Sequence, residues 1–580
     1  MRHRWLLAAA QPERAHSIAA ALGASPLLAQ CLINRGQPDA DQASAFLTPR
    51  LRHLADPNHL PNMPAAVDRL WRARQSDEPV VIFGDYDVDG VTATALLLEV
   101  LQPLGWRAVS YLPHRLDEGY GLTDEAVDRC LERSPARLLL AVDCGSTTCD
   151  TIARLKTRGV DVIVLDHHQV SSPPPPAVAL VNPQLAPPGP DNLQQLCSVG
   201  LAFKLAHALV KRGRALGCPL AEQFDLRPLL DLVALGTIAD MVPLTGENRV
   251  LASAGLARIN ALQRPGLLAL KDVARVPGAI GAWEVGFQIA PRLNAAGRLE
   301  NAKAALDLLL ARDPASAEAG ARLLDAQNRE RQQIERAIAE EVVAAVRARF
   351  QPDTDRVIVE GNLLWHVGVV GIVAARVLNE FYRPTLILGG DGYAWRGSGR
   401  SIEGFDLAAA LRACDDLLLR HGGHAMAAGL TIRPENLPAL RERLNRLARQ
   451  ALDLHDLSPP LRLDAVTPLR ELTLERVDEL QRLEPRGCAN PPVQIVVPRV
   501  SLRRPPACIG RGQRHIKLWV TDGAATGEAI WWGGAHQPCP EGLFDLACTP
   551  QVNSYDGRRT VQLRVLDWRP AEPIECLSSR

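Results

Sequence analysis

Val80-Val81-Ile82-Phe83-Gly84-Asp85-Tyr86-Asp87-Val88-Asp89-Gly90 is the stretch that decides the fold. A short apolar run ends in a glycine and an acidic loop, and residues from about Thr92 to Leu101 are predicted to be a helix. The pattern returns twice. Arg137 to Val142 leads into Asp143-Cys144-Gly145, and Val160 to Leu165 leads into Asp166-His167-His168. Short apolar strands alternating with helices predict an α/β domain on a doubly wound parallel sheet. Ligands of such sheets bind outside the carboxyl ends of the strands, near the point where strand order reverses. Three separate strands therefore aim acids at one crevice.

Acids gathered in this way need a cation. Two carboxylates about 4 Å apart repel by roughly 4 kcal/mol at an effective dielectric near about 20. Asp240, in Gly236-Thr237-Ile238-Ala239-Asp240-Met241 after an apolar helix, is a further candidate. A lone aspartate after a strand ordinarily caps the next helix, and for Asp89 by itself capping is the better reading. Three aspartates at alternate positions followed by two more acidic strand ends are not explained by capping. Carboxylates with one or two imidazoles and no thiolate suit Mn²⁺ best; Mg²⁺ is compatible, zinc or copper less so. Two such ions about 3.5–4 Å apart can clamp both the attacking and the leaving oxygen of a phosphoryl transfer.

These motifs, DYDVDG, VDCG and DHH followed by Asp240, resemble the four motifs of the DHH phosphoesterase superfamily in order and spacing. Within it the chain is similar to the RecJ exonucleases over nearly its whole length. The carrying segments are Tyr111 to Gly121, Ala290 to Arg298, Gly397 to Ser401 and Gly422 to Gly429. The resemblance implies a metal-dependent 5′-to-3′ exonuclease specific for single-stranded DNA, acting in DNA repair and recombination. It implies that Asp87 and Asp143 hold one Mn²⁺, with Asp85 ligating or supporting it. Asp89, His167 and Asp240 would hold a second, with Asp143 bridging. Asp166 and His168 would support the ligands or meet substrate. Asp87, Asp89, Asp143, His168 and His424 form the expected catalytic set. A single-strand-binding protein and a helicase are implied partners.

A metal centre does not choose DNA. Arg115, Arg298, Ser398 and Arg400 lie in Gly-flanked or loop-like segments, where an arginine fork suits phosphate and Gly-rich backbone can approach an anion. They are expected to hold the 5′ end, against the plainer reading of turn arginines. His424, between two glycines and a run of small residues, is expected to contact phosphate rather than merely shape its turn. From Pro485 to Thr521 there is no acidic residue and seven basic ones, among them Arg503, Arg504, Arg514 and Lys517. Trp519, Trp531 and Trp532 lie in or beside this stretch, and basic grooves with aromatic platforms hold single strands on OB-folds.

The expected architecture is an N-terminal cap of short helices (1–70), a parallel-sheet DHH catalytic domain (71–315) and a long connecting helix (316–350). A second α/β, DHH-associated domain (351–455) and a C-terminal OB-like β-barrel (456–570) follow. The helix is expected to bridge two lobes, because Ile334, Ile338, Val342 and Val346 fall on one face. With 65 basic and 65 acidic residues the net charge is zero, so affinity for a polyanion has to come from local charge segregation. The 12 cysteines form no C-x-x-C pair and read as reduced core residues of a cytoplasmic protein, and with no 18-residue apolar run no membrane span is expected. A monomer is expected.

Overall fold

The structure, a computed structural model, describes residues 3–114, 117–119, 121–187, 189, 193–261, 263–352, 354–390, 393–555 and 557–571. The chain divides into two compact units, Arg50–Leu457 and Met1–Pro49 with Ser458–Arg580.

In the larger unit a five-stranded sheet runs in the order Arg107–Tyr111, Pro79–Gly84, Leu138–Val142, Asp161–Leu165, Ala179–Val181, every neighbour parallel. Val80 to Phe83 and Leu138 to Val142 are fully buried. A parallel sheet covered on both faces needs such unbroken apolar runs, which is why these strands do not alternate. The chain turns to one side of Pro79–Gly84 first and to the other side next. The order therefore reverses between Pro79–Gly84 and Leu138–Val142, and a crevice opens there.

The helix Val88–Leu101 is buried on nearly every side, as a helix enclosed in a core must be. It packs against the helices Ser198–Ala215 and Leu230–Ala239. Gly236 permits this approach: a Cβ there would lie 2.5 Å from Thr92 Oγ1 and 3.0 Å from Asp89 Oδ1. The apolar helix expected before Asp240 is Leu230–Ala239, preceded by the single 3₁₀ turn Arg227–Leu229.

Pro314–Arg349 is one 36-residue helix. Its Ala317, Ala321 and Leu324 join the core of the first lobe, while Ile338, Ala339, Val342 and Val346 join that of the second. Each large apolar side chain so buried contributes roughly 1.5–3 kcal/mol, so the helix is anchored at both ends and does bridge the lobes. The second lobe is a mixed sheet. Ile358–Asn362 and Thr385–Gly390 run parallel; Trp395–Arg400, Ala427–Ile432 and the edge strand Leu418–His424 continue it antiparallel.

The smaller unit contains the barrel. His515–Thr521, Thr526–Trp531, Arg558–Pro570, Phe544–Tyr555 and Ile495–Leu502 pair in that order, and a further pairing of Ile495–Leu502 with His515–Thr521 closes the ring. Thr526–Trp531 and Arg558–Pro570 run parallel, in the five-stranded, closed arrangement of an OB-fold. Phe544–Tyr555 was not anticipated from the sequence.

The expected cap over 1–70 is divided. Arg4–Leu7 is a strand pairing parallel with Pro460–Leu463, and Leu28, Leu32 and Phe46 share the barrel's core. The buried Arg35 fixes this arrangement, donating to Asp464, Asn490 and Pro491. From residue 50 the chain belongs to the other unit, where Ala55 and Asn62 bond to Glu247 and Leu180. Local helix signals cannot reveal that division, because the partners are distant in sequence. Among the described residues no single helix is long and apolar enough to cross a membrane.

Candidate metal centre

Asp85, Asp143 and Asp166 are each the first residue beyond a strand, and each still donates its N–H to the neighbouring strand, at Val142, Leu165 and Val181 respectively. The ladder thus sets three acids side by side along the sheet's carboxyl edge. Asp143 takes a left-handed conformation, φ 64°, which aspartate tolerates better than most residues.

Capping falls to Asp87. Its carboxylate accepts from the N–H groups of Asp89 and Gly90 at 2.9 and 3.2 Å, starting the helix Val88–Leu101. Gly90 is required by space: a Cβ would lie 2.6–2.8 Å from the backbone of Asp85. Asp89 reaches instead to another helix, accepting from the N–H groups of Ser198 and Val199 at 2.7 and 2.8 Å. Those donors are the positive end of Ser198–Ala215. Ser198 also donates its hydroxyl to Asp143 Oδ1 at 2.8 Å.

His167 Nε2 lies 4.0 Å from Asp89, 3.6 Å from Asp143 and 3.5 Å from Asp240. Both His167 Nε2 and Asp240 Oδ2 are buried without a hydrogen-bond partner among the described residues. Polar atoms buried unpaired are costly, and a cation between them removes the cost. His168 turns the other way, its Nδ1 2.8 Å from Asp166 Oδ1. Asp166 also accepts from Ser146 N–H, and Asn182 holds both Ser146 Oγ and the carbonyl of His168.

The electrostatics follow from this geometry. Burial, then the charges of Asp89, Asp87, Asp85 and Asp166, hold Asp143 well above the ordinary carboxylate range. Burial and Asp87 raise Asp89 to about 7 despite its backbone donors. Burial, Asp89 and Asp87 raise Asp240 to about 9. Burial lowers His167 to about 4, with help from His168. For His168 burial acts downward but is overcome by the Asp166 hydrogen bond and charge, which raise it to about 9. Asp166 is correspondingly lowered to about 2, against burial. One imidazole is therefore neutral and able to ligate; the other carries a proton at neutral pH.

Three groups of donor atoms, each within 4.8 Å of one another, can receive a cation: Asp85, Asp87 and Asp143; Asp143, His167 and His168; and Asp89, Cys197 and Asp240. The oxygen-rich groups fit Mn²⁺ or Mg²⁺. Two features depart from the expectation. His168 stands close enough to join a donor group, and Cys197 brings a thiol to a set read as free of sulfur. Ser146, Asn182, Ser198 and Val199 were also missed. Ser198, the first residue of the helix Ser198–Ala215, is of a type favoured at helix starts, the one local signal among them.

Arg298, Ser398 and Arg400 converge near the start of the helix Val370–Phe381. Arg298 donates to the carbonyl of Gly368, Arg400 donates to Ser398 Oγ, and a Cβ on Gly371 would lie 2.9 Å from Ser398 Oγ and 3.3 Å from Arg400 Nη2. No side chain caps that helix, leaving a positive end beside two guanidinium groups. Arg115 lies outside the described residues. His424 ends the edge strand Leu418–His424 and is exposed.

In the barrel, Arg503, Arg504 and Arg514 are exposed. Arg504 stacks on Trp519, 3.3 Å from its ring centroid, and Lys517 pairs with Glu528 at 2.9 Å. The acid-free stretch thus meets an acid across the sheet, and one face of Trp519 is already covered. Trp532 is the tryptophan there with half its surface open.

Comparison with known proteins gives the same picture. Residues 79–237 match the DHH family, N-terminal domain, residues 354–450 the DHHA1 domain and residues 463–567 the RecJ OB domain. The single-stranded-DNA-specific exonuclease RecJ of Bacillus subtilis is 36% identical over 97% of this chain and 70% of its own. That of Thermus thermophilus is 34% identical over 99% and 80%. The crystal structure of Thermus thermophilus RecJ with Mn²⁺ superposes with a TM-score of 0.84 at 32% identity, covering 99% of this chain and 80% of that one. Its Mg²⁺ complex gives 0.79 at 30%, covering 99% and 79%.

Proposed function

The chain belongs to the RecJ single-stranded-DNA-specific exonucleases, and from that membership we propose that it removes nucleotides successively from the 5′ end of single-stranded DNA. It is a metal-dependent phosphodiester hydrolase, and its cation is Mn²⁺, with Mg²⁺ as an alternative. The observation that carries the reading is the row of strand-end acids at the reversal of strand order, with His167 Nε2 within 4.0 Å of Asp143 in that row and of Asp89 and Asp240 beside it.

In this reading Asp85, Asp87 and Asp143 hold one cation and Asp89, His167 and Asp240 the other, Asp143 standing between them. Bound there, two divalent cations supply charge against the phosphoryl oxygens and a water acidic enough to attack phosphorus at neutral pH. His168, protonated and held by Asp166, places a positive charge where the phosphoryl group gains negative charge. Arg298, Ser398, Arg400 and the open helix start receive the terminal 5′-phosphate, which sets polarity. Arg115 and His424 are assigned to the same phosphate path by family resemblance alone. Arg503, Arg504, Arg514 and Lys517 track the strand's backbone on the barrel. A single-strand-binding protein and a helicase as partners rest on the resemblance, and the cytoplasmic location rests on the reduced cysteines.

The test is a time course with Mn²⁺ on a long, 5′-phosphorylated single strand labelled at its 3′ end, with matching duplex and RNA alongside. Progressively shorter labelled products from the single strand, with duplex and RNA spared, support the reading. Hydrolysis of very short oligonucleotides alone would replace it with a small-substrate phosphodiesterase.

A further inference from the structure

We infer that Cys197 makes the second cation position a mixed oxygen–nitrogen–sulfur site that captures a soft divalent ion, Zn²⁺ or Cd²⁺, in place of the hard ion that supports turnover. The inference rests on the two-cation reading above. Asp89, Cys197 and Asp240 each offer a donor atom, all within 4.8 Å of one another. His167 Nε2 stands 3.5 Å from Asp240 Oδ2, both atoms buried and without a hydrogen-bond partner among the described residues. Together they make two carboxylates, one imidazole and one thiol.

Four donors of this kind are what tetrahedral zinc takes, with Zn–S about 2.3 Å and Zn–N or Zn–O about 2.0–2.2 Å. Donors on one such ion are about 3.5 Å apart. His167 and Asp240 already stand so, and Asp89 and Cys197 have to draw in from a group spread over as much as 4.8 Å.

The thiol already faces the acids, as a hydrogen-bond partner of Asp89. Cys197 is fully buried and occupies the position before Ser198–Ala215, but its side chain does not cap that helix. Its Sγ also hydrogen-bonds Thr237 Oγ1 at 3.6 Å, a neutral contact that a bound soft ion would replace. A hard ion such as Mn²⁺ draws on oxygen and nitrogen and leaves the thiol protonated. A soft ion displaces the proton: the S–H bond breaks, an S–metal bond forms and the proton passes to solvent, with no change of oxidation state. Zinc also stands above manganese in intrinsic affinity for such donors. The consequence is a hydrolase that Zn²⁺ or Cd²⁺ arrests by occupying one of its two cation positions.

The test uses full-length protein freed of metal and given one equivalent of Zn²⁺, with X-ray absorption at the zinc edge. One sulfur neighbour at about 2.3 Å is expected; a shell of nitrogen and oxygen alone overturns the inference without any substitution. In parallel, Cys197→Ser is expected to weaken Zn²⁺ and Cd²⁺ binding more than about tenfold and to remove the ultraviolet sulfur-to-cadmium charge-transfer band. Equal affinity and an unchanged band in the variant also overturn it. Mn²⁺ binding, followed by electron paramagnetic resonance, separates the two readings. Mn²⁺ bound with no zinc–sulfur contact defeats this inference alone, whereas failure to bind Mn²⁺ defeats the two-cation reading beneath it.

Discussion

Ser198 donates its hydroxyl to Asp143 Oδ1 at 2.8 Å while its own N–H donates to Asp89 Oδ2 at 2.7 Å. One residue thereby fixes two carboxylates of different origin, one at a strand end and one in the helix Val88–Leu101. Groups that orient ligands in this way typically change metal affinity about 10–100-fold when removed. Ser198→Ala keeps the backbone donor and loses the hydroxyl. It should raise the Mn²⁺ concentration needed for half-maximal cleavage about 10-fold or more, with the rate largely recovered at saturating Mn²⁺. An unchanged Mn²⁺ titration would show that the hydroxyl does not position Asp143.

Asp143 combines a shared ligand position with a left-handed backbone. Its two roles separate by choice of substitution. Asparagine tolerates that backbone, whereas alanine is disfavoured there by about 1–2 kcal/mol. Both Asp143→Asn and Asp143→Ala should abolish turnover. Without metal, Asp143→Asn should melt at or above the wild-type temperature, since it removes a charge from a repelling cluster, and Asp143→Ala should melt below Asp143→Asn. Normal turnover in either variant would sink the metal assignment.

The same cluster sets a pH dependence for the metal-free protein. Asp240 is raised to about 9 and His168 to about 9, above the ordinary values near 4 and 6.5 for aspartate and histidine. Between about pH 6.5 and pH 9 the folded state therefore holds protons that the unfolded chain has released. Stability must fall as pH rises through that window. His167, lowered to about 4, is neutral in both states there and does not oppose the trend. Mn²⁺ replaces the protons, so its effect on melting temperature should grow from about pH 6.5 to pH 9. Melts with and without Mn²⁺ at several pH values check this; an Mn²⁺ effect that shrinks across the window contradicts it.

If the terminal phosphate sits by the Val370–Phe381 helix start, Arg400→Ala should act on the substrate's end rather than on bond cleavage. KM for a 5′-phosphorylated strand should rise about 10-fold or more, as expected for loss of a charged hydrogen bond. A strand with a 5′-hydroxyl should be affected far less, and kcat should change little for either. Equal effects on both strands would mean that Arg400 serves the fold or the chemistry instead.

The α/β core was legible because a parallel sheet buried on both faces demands unbroken apolar runs, and Val80–Phe83 and Leu138–Val142 are such runs. The three acidic strand ends were legible for the same reason, since each follows its strand directly. What the sequence hid comes from afar. Asp89 takes its donors from Ser198 and Val199, and Cys197 enters beside them through a helix start that local periodicity places but cannot aim. Arg4–Leu7 is a strand only because Pro460–Leu463 lies beside it. Charge counted along the chain likewise missed Glu528, which stands opposite Trp519 on the neighbouring strand and pairs with Lys517.

That pairing determines which barrel residues should matter most for DNA. Lys517 is partly neutralised by Glu528, and Arg504 is engaged on Trp519. Arg514 is exposed in the turn that leads into His515–Thr521, and no ion pair involving it occurs among the described residues. A cation that neutralises a phosphate releases counterions, with a slope of about −0.7 per contact for single strands. Arg514→Ala should therefore weaken binding of long single strands uniformly across sequences and reduce the slope of log affinity against log salt by about 0.7. Lys517→Ala should reduce it less. Binding measured at several salt concentrations with a catalytically inactive Asp143→Asn background separates this from cleavage. A larger effect at Lys517 than at Arg514 would place the strand across the Glu528 face of the barrel instead.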